Sequence, residues 1–300
     1  MPAEEHYELL DAVSGDVRRL MDEHKARREH WYAHEIVPWE RGRNYRELPW
    51  DESQCSISPE ARTSLVLNLL TEDNLPYYHS EIESHVGAND ALKEWNHLWT
   101  AEEGQHAIAL RSYLLTSRNA DPVELENDRL ATMTNGYHSG ATSPVNVFVY
   151  TSAQELATRV SHRNAGKITD DPVAYELMSR IAADENHHFM FYRGIVKAML
   201  DRAPEVTLQA ILEELERFEM PGVAMPNFMR RAVEMAKAGV YNLRIHHDRV
   251  VVPLLRDWGI DRLDGLSVRA QEIQEKLLAF PEQVARKAEI FERRVGLVTS

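Results

Sequence analysis

One arrangement of acids and histidines occurs twice in this chain of 300 residues. The segment TAEEGQH (100–106) aligns with AADENHH (182–188): a small residue, an acid, a glutamate, two further positions and a histidine. Each copy follows an earlier glutamate at almost the same distance, 31 positions in the first half and 30 in the second. The residues concerned are Glu72, Glu103 and His106 in the first half, and Glu155, Glu185 and His188 in the second.

This repeat predicts a metal site inside a helical bundle. Residues i and i+3 share a helix face, so each Glu-x-x-His pair points one carboxylate and one imidazole the same way. Two such halves facing each other bring together four carboxylates and two imidazoles, as in ferritin-like di-iron and di-manganese bundles. Oxygen-rich ligation suits iron or manganese better than zinc or copper. The alternative, unrelated acids that are solvated or satisfied in the core, leaves the repeated spacing unexplained.

The helical period separates these residues from similar patterns nearby. Glu94 and His97 also form Glu-x-x-His, but Glu94 precedes Glu103 by nine residues, which at about 100° per residue is half a turn. We therefore expect this pair to face solvent. Asp184 and His187 are displaced by one residue from the repeat and are predicted to lie at the margin of the site.

Helical periodicity dominates the whole chain, and strand-like alternation is nearly absent. An all-α, ferritin-like bundle with additional C-terminal helices is expected, as one domain over residues 1–300. The charged first 30 residues are predicted to be a loosely packed N-terminal arm. Helices are predicted at about 58–86, 89–117, 121–136, 144–165, 171–201, 205–219, 225–239, 242–258, 265–278 and 281–296.

Composition excludes several classes of protein. The formal net charge of −14 argues against non-specific nucleic-acid binding. No apolar run approaches the roughly 18–20 residues of a membrane span, and the acidic start does not resemble a signal peptide. Cys55 is the single cysteine, so an intramolecular disulfide and a thiolate-rich metal site are excluded. A cytoplasmic location is expected.

Five segments resemble the soluble acyl-carrier-protein desaturases, a family that includes plant stearoyl enzymes and actinobacterial relatives. The similarity spans about residues 60–295. It implies that the six residues of the repeat ligate two iron ions, with manganese possible in vitro. It also implies an O₂-dependent desaturation in fatty acid biosynthesis, an acyl chain on acyl-carrier protein as substrate, a ferredoxin-type electron donor and a homodimer. The matching segments are LTEDNLP, WTAEEGQH, YTSAQELATRVSHRNA, IAADENHH and DWGIDRLDGLS.

The resemblance also suggests roles for residues beside the predicted ligands. Thr158, three residues after Glu155, matches a family threonine near the oxygen-binding side and could assist proton delivery; a helix threonine bonded to its own backbone is equally compatible with the sequence. His162 shares the same face, as a partner of a ligand or as an ordinary core histidine. The family positions that could carry electrons or orient ligands are matched here by Asp184, Trp99 and Tyr150. Packing or capping also explains these three residues.

Three residues depart from the plant enzymes where those line the acyl pocket. Glu81 and His85 stand at positions that are apolar there, and Val147 replaces a glycine. Because a buried acid needs a partner and Glu81 and His85 are four residues apart, we expect them to pair and plug the pocket. Chain length and double-bond position are therefore left open.

An acidic carrier protein requires a local basic surface on this acidic chain. Two segments are candidates for docking it, although such charges are more often solvated helix faces. The candidate residues are Arg286, Lys287, Arg293 and Arg294 near the C-terminus, with Arg244 and Arg249 before them.

Other functions are compatible with the same six residues. A related di-iron hydroxylase or oxygenase could act on another tethered substrate. A non-catalytic metal-binding protein of the ferritin type, or a partner subunit of an active desaturase, is the alternative from a different class. The long C-terminal half argues against a storage cage, and retention of all six residues argues against a degenerate subunit.

Overall fold

The structure, a computed structural model, describes residues 2–222 and 225–297, and every regular element in these ranges is helical. The all-α prediction is confirmed. Single 3₁₀ turns occur at Trp39–Arg41, Glu52–Gln54 and Ile260–Arg262, and a π-helical turn, His247–Val251, joins α12 to α13. The α-helices are α1 (Pro2–Ala12), α2 (Ser14–Arg27), α3 (Ala33–Ile36), α4 (Pro59–Asp73), α5 (Leu75–His85), α6 (Asp90–Thr116), α7 (Pro122–Asn135), α8 (Pro144–Lys167), α9 (Pro172–Arg202), α10 (Pro204–Arg217), α11 (Phe228–Lys237), α12 (Leu243–His246), α13 (Val252–Trp258) and α14 (Val268–Val295).

Four helices form a ring that contains both halves of the repeat. Helix α4 packs on α6 and α8, and α9 packs on the same two helices. Side-chain caps start all four: Ser58, Asn89, Ser143 and Asp171 each accept a hydrogen bond from a backbone N–H of the first turn. Helices α4, α8 and α9 each have a proline in the first turn. There its ring fixes φ at a helical value, and the N–H that it lacks would have had no acceptor within the helix.

The first ligand helix is shorter than the sequence predicts. The expected helix over 58–86 is interrupted at Asn74, which caps α4 before α5 begins at Leu75. Pro76 explains the interruption. In a continuous helix its ring would clash with the backbone carbonyl of Glu72, four residues earlier, and it has no N–H to donate to that carbonyl. The helix therefore breaks two residues after Glu72, and α5 continues against α6 and α8.

The N-terminal segment is packed, unlike the loosely packed arm expected for residues 1–30. Helix α2 lies against α9 and α6, and α1 lies against α8 and α9. Leu10, Val13, Val17 and Met21 are buried in the larger of two apolar clusters. The charged residues that suggested a loose arm occupy the outer face of these helices. Their inner face covers one side of the bundle.

The C-terminal helices extend the bundle on the side of α8 and α9. Helix α10 packs on α8, α9 and α14. Two helices were expected over 265–278 and 281–296, but α14 continues through Pro281. Burial of Leu277, Phe280 and Val284 on both sides of the proline outweighs the single backbone bond it removes. Within the described ranges, no helix combines the length and apolar character needed to cross a bilayer.

Candidate metal centre

The structure brings the six repeat residues together in the middle of the helix ring. They form two overlapping groups, and in each group one potential ligand atom per residue lies within 4.8 Å of the others. None of the six is more than 6% exposed. The first group is Glu72, Glu103, His106 and Glu185; the second is Glu103, Glu155, Glu185 and His188.

Three carboxylates surround the imidazole of the first half. Nδ1 of His106 lies 3.4 Å from Oε2 of Glu103 and 3.7 Å from Oε2 of Glu72. It lies 3.6 Å from Oε1 of Glu185, which comes from the other half of the repeat. Oxygen and nitrogen atoms from three helices thus converge on one point.

The second half has the matching arrangement. Nδ1 of His188 lies 2.8 Å from Oε1 of Glu103, 3.7 Å from Oε2 of Glu155 and 3.8 Å from Oε2 of Glu185. Glu103 and Glu185 therefore each turn one oxygen toward His106 and the other toward His188. Carboxylates that serve two neighbouring positions are the geometry of a two-metal centre.

Five of these buried atoms lie close to one another but make no well-aligned hydrogen bond, which tests whether a metal fits. They are Oε1 of Glu103, Oε2 of Glu155, Oε2 of Glu185, and Nδ1 of His106 and His188. A buried polar atom without a partner costs about 1–3 kcal/mol. Five such atoms around one point are accounted for together if they bind cations. This donor set of carboxylates and imidazoles can hold a metal.

The titration behaviour of the carboxyls reflects the same crowding. Burial, followed by the charge of Glu185, raises the pKa of Glu155 well above its usual range, and the same two causes raise the pKa of Glu103. Burial raises the pKa of Glu185 too, but the neighbouring imidazoles of His162 and His188 outweigh it and hold that pKa well below its usual range. A bound cation favours the charged form of all of them, because opposite charge lowers a carboxyl pKa.

His162 contacts two of the predicted ligands and is not an ordinary core histidine. Its Nε2 lies 3.0 Å from Oε1 of Glu72 and 3.3 Å from Oε1 of Glu185. Burial lowers the pKa of His162, but hydrogen bonds to Glu185 and Glu72 raise it to about 9. The side chain can therefore donate a proton to either carboxylate.

Asp184 lies behind the first imidazole. Its Oδ2 is 3.3 Å from Nε2 of His106 and accepts a hydrogen bond of 2.8 Å from the indole N–H of Trp31. A carboxylate bonded to the rear nitrogen of an imidazole fixes the tautomer and the ring orientation. Asp184 thus occupies the margin of the site, as the sequence predicts. Trp31 was not identified from the sequence, because it lies in the irregular segment between α2 and α3.

Glu102 has the same relationship to the second imidazole, and the sequence reasoning missed it. Its Oε2 lies 2.9 Å from Nε2 of His188 and 2.9 Å from Nε2 of His24. Arg28 approaches Oε1 of the same carboxylate at 3.2 Å. Burial raises the pKa of Glu102, but the hydrogen bonds from His188 and His24 outweigh it and hold that pKa far below its usual range. The aligned acid of the repeat, Glu102 opposite Asp184, was the signal that could have identified it.

The remaining candidates from the sequence, Thr158, Trp99 and Tyr150, differ in whether they contact the predicted ligands. The hydroxyl of Thr158 donates to the backbone oxygens of Gln154 and Glu155, both at 3.1 Å, which is the back-bonded geometry. Trp99 donates its indole N–H to Oε1 of Glu155 at 3.0 Å, so it touches the centre. Tyr150 bonds instead to a backbone oxygen in the segment after α10.

Of the two patterns set aside by helical period, Glu94, His97 and His187 have partners outside the two groups. Glu94 is exposed and pairs with Lys25 at 3.0 Å, as expected for a solvent-facing residue. His97, also exposed, stacks on His79. His187 packs edge-on against the ring of His24.

Comparison with known proteins settles the family. A family model described as fatty acid desaturase matches residues 5–299. The chain belongs to this desaturase family. DesA1 of Mycobacterium tuberculosis, named as an acyl-[acyl-carrier-protein] desaturase, is 41% identical over 281 residues, which cover 90% of this chain and 83% of the relative. Stearoyl-[acyl-carrier-protein] 9-desaturase 6 of Arabidopsis thaliana is 30% identical over 81% of this chain and 66% of its own.

A solved structure supports the fold of this desaturase. The X-ray structure of DesA2 from Mycobacterium tuberculosis H37Rv, described as an acyl-ACP desaturase, matches with a TM-score of 0.71 at 26% identity. The match covers 89% of this chain and 99% of the other. The ferritin-like helical fold expected from the repeat is therefore confirmed.

A narrow cavity of the desaturase reaches Trp99, the residue bonded to Glu155. Its volume is about 30 Å³, so side chains must move before an alkyl chain enters. Val147 and Glu81 both line it, in agreement with the pocket positions assigned from the sequence. The other lining residues are Tyr78, Ile82, Tyr137, Ser139, Tyr150, Thr151, Gln154 and Pro221.

The expected pairing of Glu81 with His85 is wrong. The carboxylate of Glu81 accepts a hydrogen bond from Ser139 at 2.6 Å and lies 3.1 Å from Nδ1 of His138. His85 instead places Nδ1 2.8 Å from the backbone oxygen of Glu81. The loop before α8 approaches Glu81 more closely than its own helix neighbour does, because the cavity wall combines α5 with that loop.

The basic residues also differ from expectation. Arg286 pairs with Glu282 on its own helix, and Arg244 pairs with Glu292. Arg249, which was among the predicted docking residues, lies in a cluster with Arg159, Arg163 and Lys167, which we call the α8 cation cluster. It lines an open cavity of about 400 Å³, and within the described residues none of the four forms an ion pair. Burial and the charges of Arg249 and Arg163 lower the pKa of Arg159.

Proposed function

We propose that this chain is an O₂-dependent di-iron desaturase that introduces a cis double bond into an acyl chain carried on acyl-carrier protein, in fatty acid biosynthesis. The observation that carries the proposal is the pair of overlapping Glu/His groups that share Glu103 and Glu185. Membership of the desaturase family and the names of its relatives support the reaction and the carrier-bound substrate.

Iron is the proposed metal, held by Glu72, Glu103, His106, Glu155, Glu185 and His188. Four carboxylates and two imidazoles suit iron and manganese, so manganese should bind the same residues in vitro. Removal of hydrogen from an unactivated methylene requires redox chemistry with O₂. Two irons at this position would supply it. An acid or base alone cannot do so, because such a methylene has no acidic proton.

The protein's own groups position the substrate and the ligands. The cavity beside Trp99 is proposed to receive the alkyl chain and to direct it toward Glu155. Asp184 orients the imidazole of His106, and a protonated His162, with Nε2 3.0 Å from Glu72 and 3.3 Å from Glu185, would stabilise both carboxylates. Thr158 is proposed to assist proton delivery from its position one helical turn after Glu155. In that case Thr158→Val lowers turnover and leaves iron content unchanged.

The carrier protein is proposed to dock on the α8 cation cluster. Carrier proteins of this type are acidic, and the cavity has four cations, none in an ion pair among the described residues, against the single acid Asp248. The C-terminal cations favoured by the sequence are weaker candidates, since Arg286 and Arg244 already have acidic partners. A ferredoxin-type electron donor, a homodimer and a cytoplasmic location are also proposed.

The decisive experiment is a reconstituted assay. The protein is incubated with ferredoxin, its reductase, NADPH, O₂ and acyl-carrier-protein substrates of graded chain length, and the products are read by mass spectrometry. Loss of two hydrogens from one chain length supports the desaturase. Gain of one oxygen atom supports the hydroxylase alternative. Consumption of O₂ with every acyl chain unchanged supports a non-catalytic metal-binding protein or partner subunit and overturns the proposal.

A further inference from the structure

Two histidines and a glutamate outside the buried centre lie together where α5 meets α6. His79 and Glu83 are four residues apart on α5 and share one face of it, and His97 approaches them from α6. One potential ligand atom from each lies within 4.8 Å of the other two. The imidazole rings of His79 and His97 stack with centroids 5.8 Å apart.

The imidazole of His79 is held in one orientation. Its Nδ1 lies 2.8 Å from Oγ1 of Thr100, and that hydroxyl donates its own proton to the backbone oxygen of Asn96 at 2.7 Å. The hydroxyl must therefore accept from His79, which places the ring proton on Nδ1. Nε2 then carries the free lone pair. An imidazole that donates one ring N–H and offers the other nitrogen is the usual state of a metal ligand.

The carboxylate of Glu83 is also fixed from behind. Nδ2 of Asn96, a buried amide on α6, donates to Oε2 of Glu83 at 3.1 Å and to the backbone oxygen of His79 at 3.2 Å. The second oxygen of Glu83 is not used in that bond. Stacking of the two imidazoles requires neither the Thr100 bond nor the Asn96 bond. The Thr100 bond fixes the side chain of His79, and the Asn96 bond fixes that of Glu83.

We propose that His79, Glu83 and His97 bind one divalent ion of the zinc type. Two histidines and one glutamate are a known ligand set for zinc, with solvent completing the coordination. Bond lengths of about 2.0–2.2 Å require the three ligand atoms to move closer together than they are now, with the exposed ring of His97 turning out of the stack toward His79 and Glu83. His97 is exposed, so the ion enters from solvent while the bundle stays closed. The site is separate from the buried centre and independent of the proposed reaction.

Such an ion would link the two helices that form one end of the acyl cavity. Tyr78 and Ile82 precede His79 and Glu83 in sequence and line that cavity from α5, and Trp99 lines it from α6. The ion thus joins the outer faces of the same helices. Because an ion that binds only the folded chain stabilises it, Zn²⁺ is expected to raise the unfolding temperature.

The test is a Zn²⁺ titration of the iron-loaded protein against a metallochromic indicator, with iron measured in the same samples. We expect one Zn²⁺ per chain without loss of iron. His79→Ala and His97→Ala should each weaken this binding at least about tenfold, since removing only a group behind a ligand already weakens binding that much. His85→Ala, a histidine removed from the same helix, is the matched control and should bind Zn²⁺ as the unchanged protein does.

Three results would overturn the proposal. They are Zn²⁺ binding that is equal in His79→Ala, His97→Ala and the unchanged protein, Zn²⁺ uptake matched by iron release, and no uptake at all. Repeating the titration in the Glu103→Ala background keeps the test independent of the buried centre. There the site on α5 and α6 should still bind one Zn²⁺, and adding His97→Ala should abolish the rise in unfolding temperature.

Discussion

Glu102 and His188 lie on different helices, with Oε2 and Nε2 2.9 Å apart. The relationship is reciprocal in the repeat, because Asp184 contacts Nε2 of His106 in the same way at 3.3 Å. Each acid precedes one of the two shared glutamates and supports the imidazole of the opposite half. The two halves therefore orient each other's histidines, which couples the geometry of both candidate metal positions to the packing of α6 on α9.

Removing a shared carboxylate should empty both metal positions. Glu103→Ala or Glu185→Ala is expected to weaken iron binding by at least about tenfold, because each residue contributes to both groups. Iron per chain is measured by metal analysis after reconstitution. Glu94→Ala, which removes an exposed glutamate of α6, serves as the control and should keep the iron. Equal loss in Glu94→Ala would contradict the assignment.

Removing the acid behind His188 should weaken metal binding without removing a ligand. Glu102→Gln keeps the size of the side chain but withdraws the charge that faces Nε2 of His188 and His24. We expect iron affinity to fall about 10–100-fold. Glu23→Gln, an exposed change on α2, is the matched control. If Glu102→Gln binds iron as tightly as the unchanged protein, Glu102 does not support the imidazole.

Reversing one charge in the α8 cation cluster should weaken carrier binding. Arg163→Glu is expected to raise KM for the acyl-carrier substrate about tenfold, equivalent to about 1.4 kcal/mol, with kcat little changed. Initial rates at several salt concentrations measure this, since the difference should shrink as salt rises. Arg269→Glu on the exposed start of α14 is the control. A larger effect from Arg286→Glu would move the docking surface to α14.

Widening the cavity should change chain-length preference. Val147→Gly together with Glu81→Met removes a branched side chain and a carboxylate from the lining, so longer chains should be favoured. The glycine costs about 1 kcal/mol of helix stability, which thermal unfolding will register. Competition between acyl-carrier substrates of two lengths measures the preference. The idea fails if the unchanged protein already prefers full-length stearoyl chains or if the double variant shows the same preference.

His246 should make the protein less stable in acid. Burial, followed by the charge of His247, lowers the pKa of His246 to about 4 from its ordinary 6.5. Between these values the unfolded chain binds a proton that the folded chain does not, so stability is full above pH 6.5 and falls as pH drops toward 4. At pH 5 this effect lowers the free energy of unfolding by about 2 kcal/mol relative to pH 7. Urea unfolding at pH 7 and pH 5 should show a smaller fall for His246→Gln, and an equal fall would refute the prediction.

The sequence determined the fold class and the six residues of the centre, because both depend on periodic spacing along helices. Glu103 and His106 share a face whatever surrounds them, and a second copy 82 positions later must face the first if both are buried. The same alignment also contained Glu102 opposite Asp184. Periodicity further placed Glu94 on the solvent side, where it pairs with Lys25.

Only the tertiary structure decided which side chains from distant segments meet. Glu81 pairs with Ser139 and His138 instead of His85, because a loop 58 positions later closes the cavity over α5. The charged N-terminal segment is packed because its apolar residues share one face, which the bundle covers. Arg159, Arg163 and Lys167 of α8 meet Arg249 of the π-helical turn in one open cavity, which only the packing of these two segments could bring about. Contacts within one helix follow from the spacing of residues; contacts between segments follow from the packing of the whole chain.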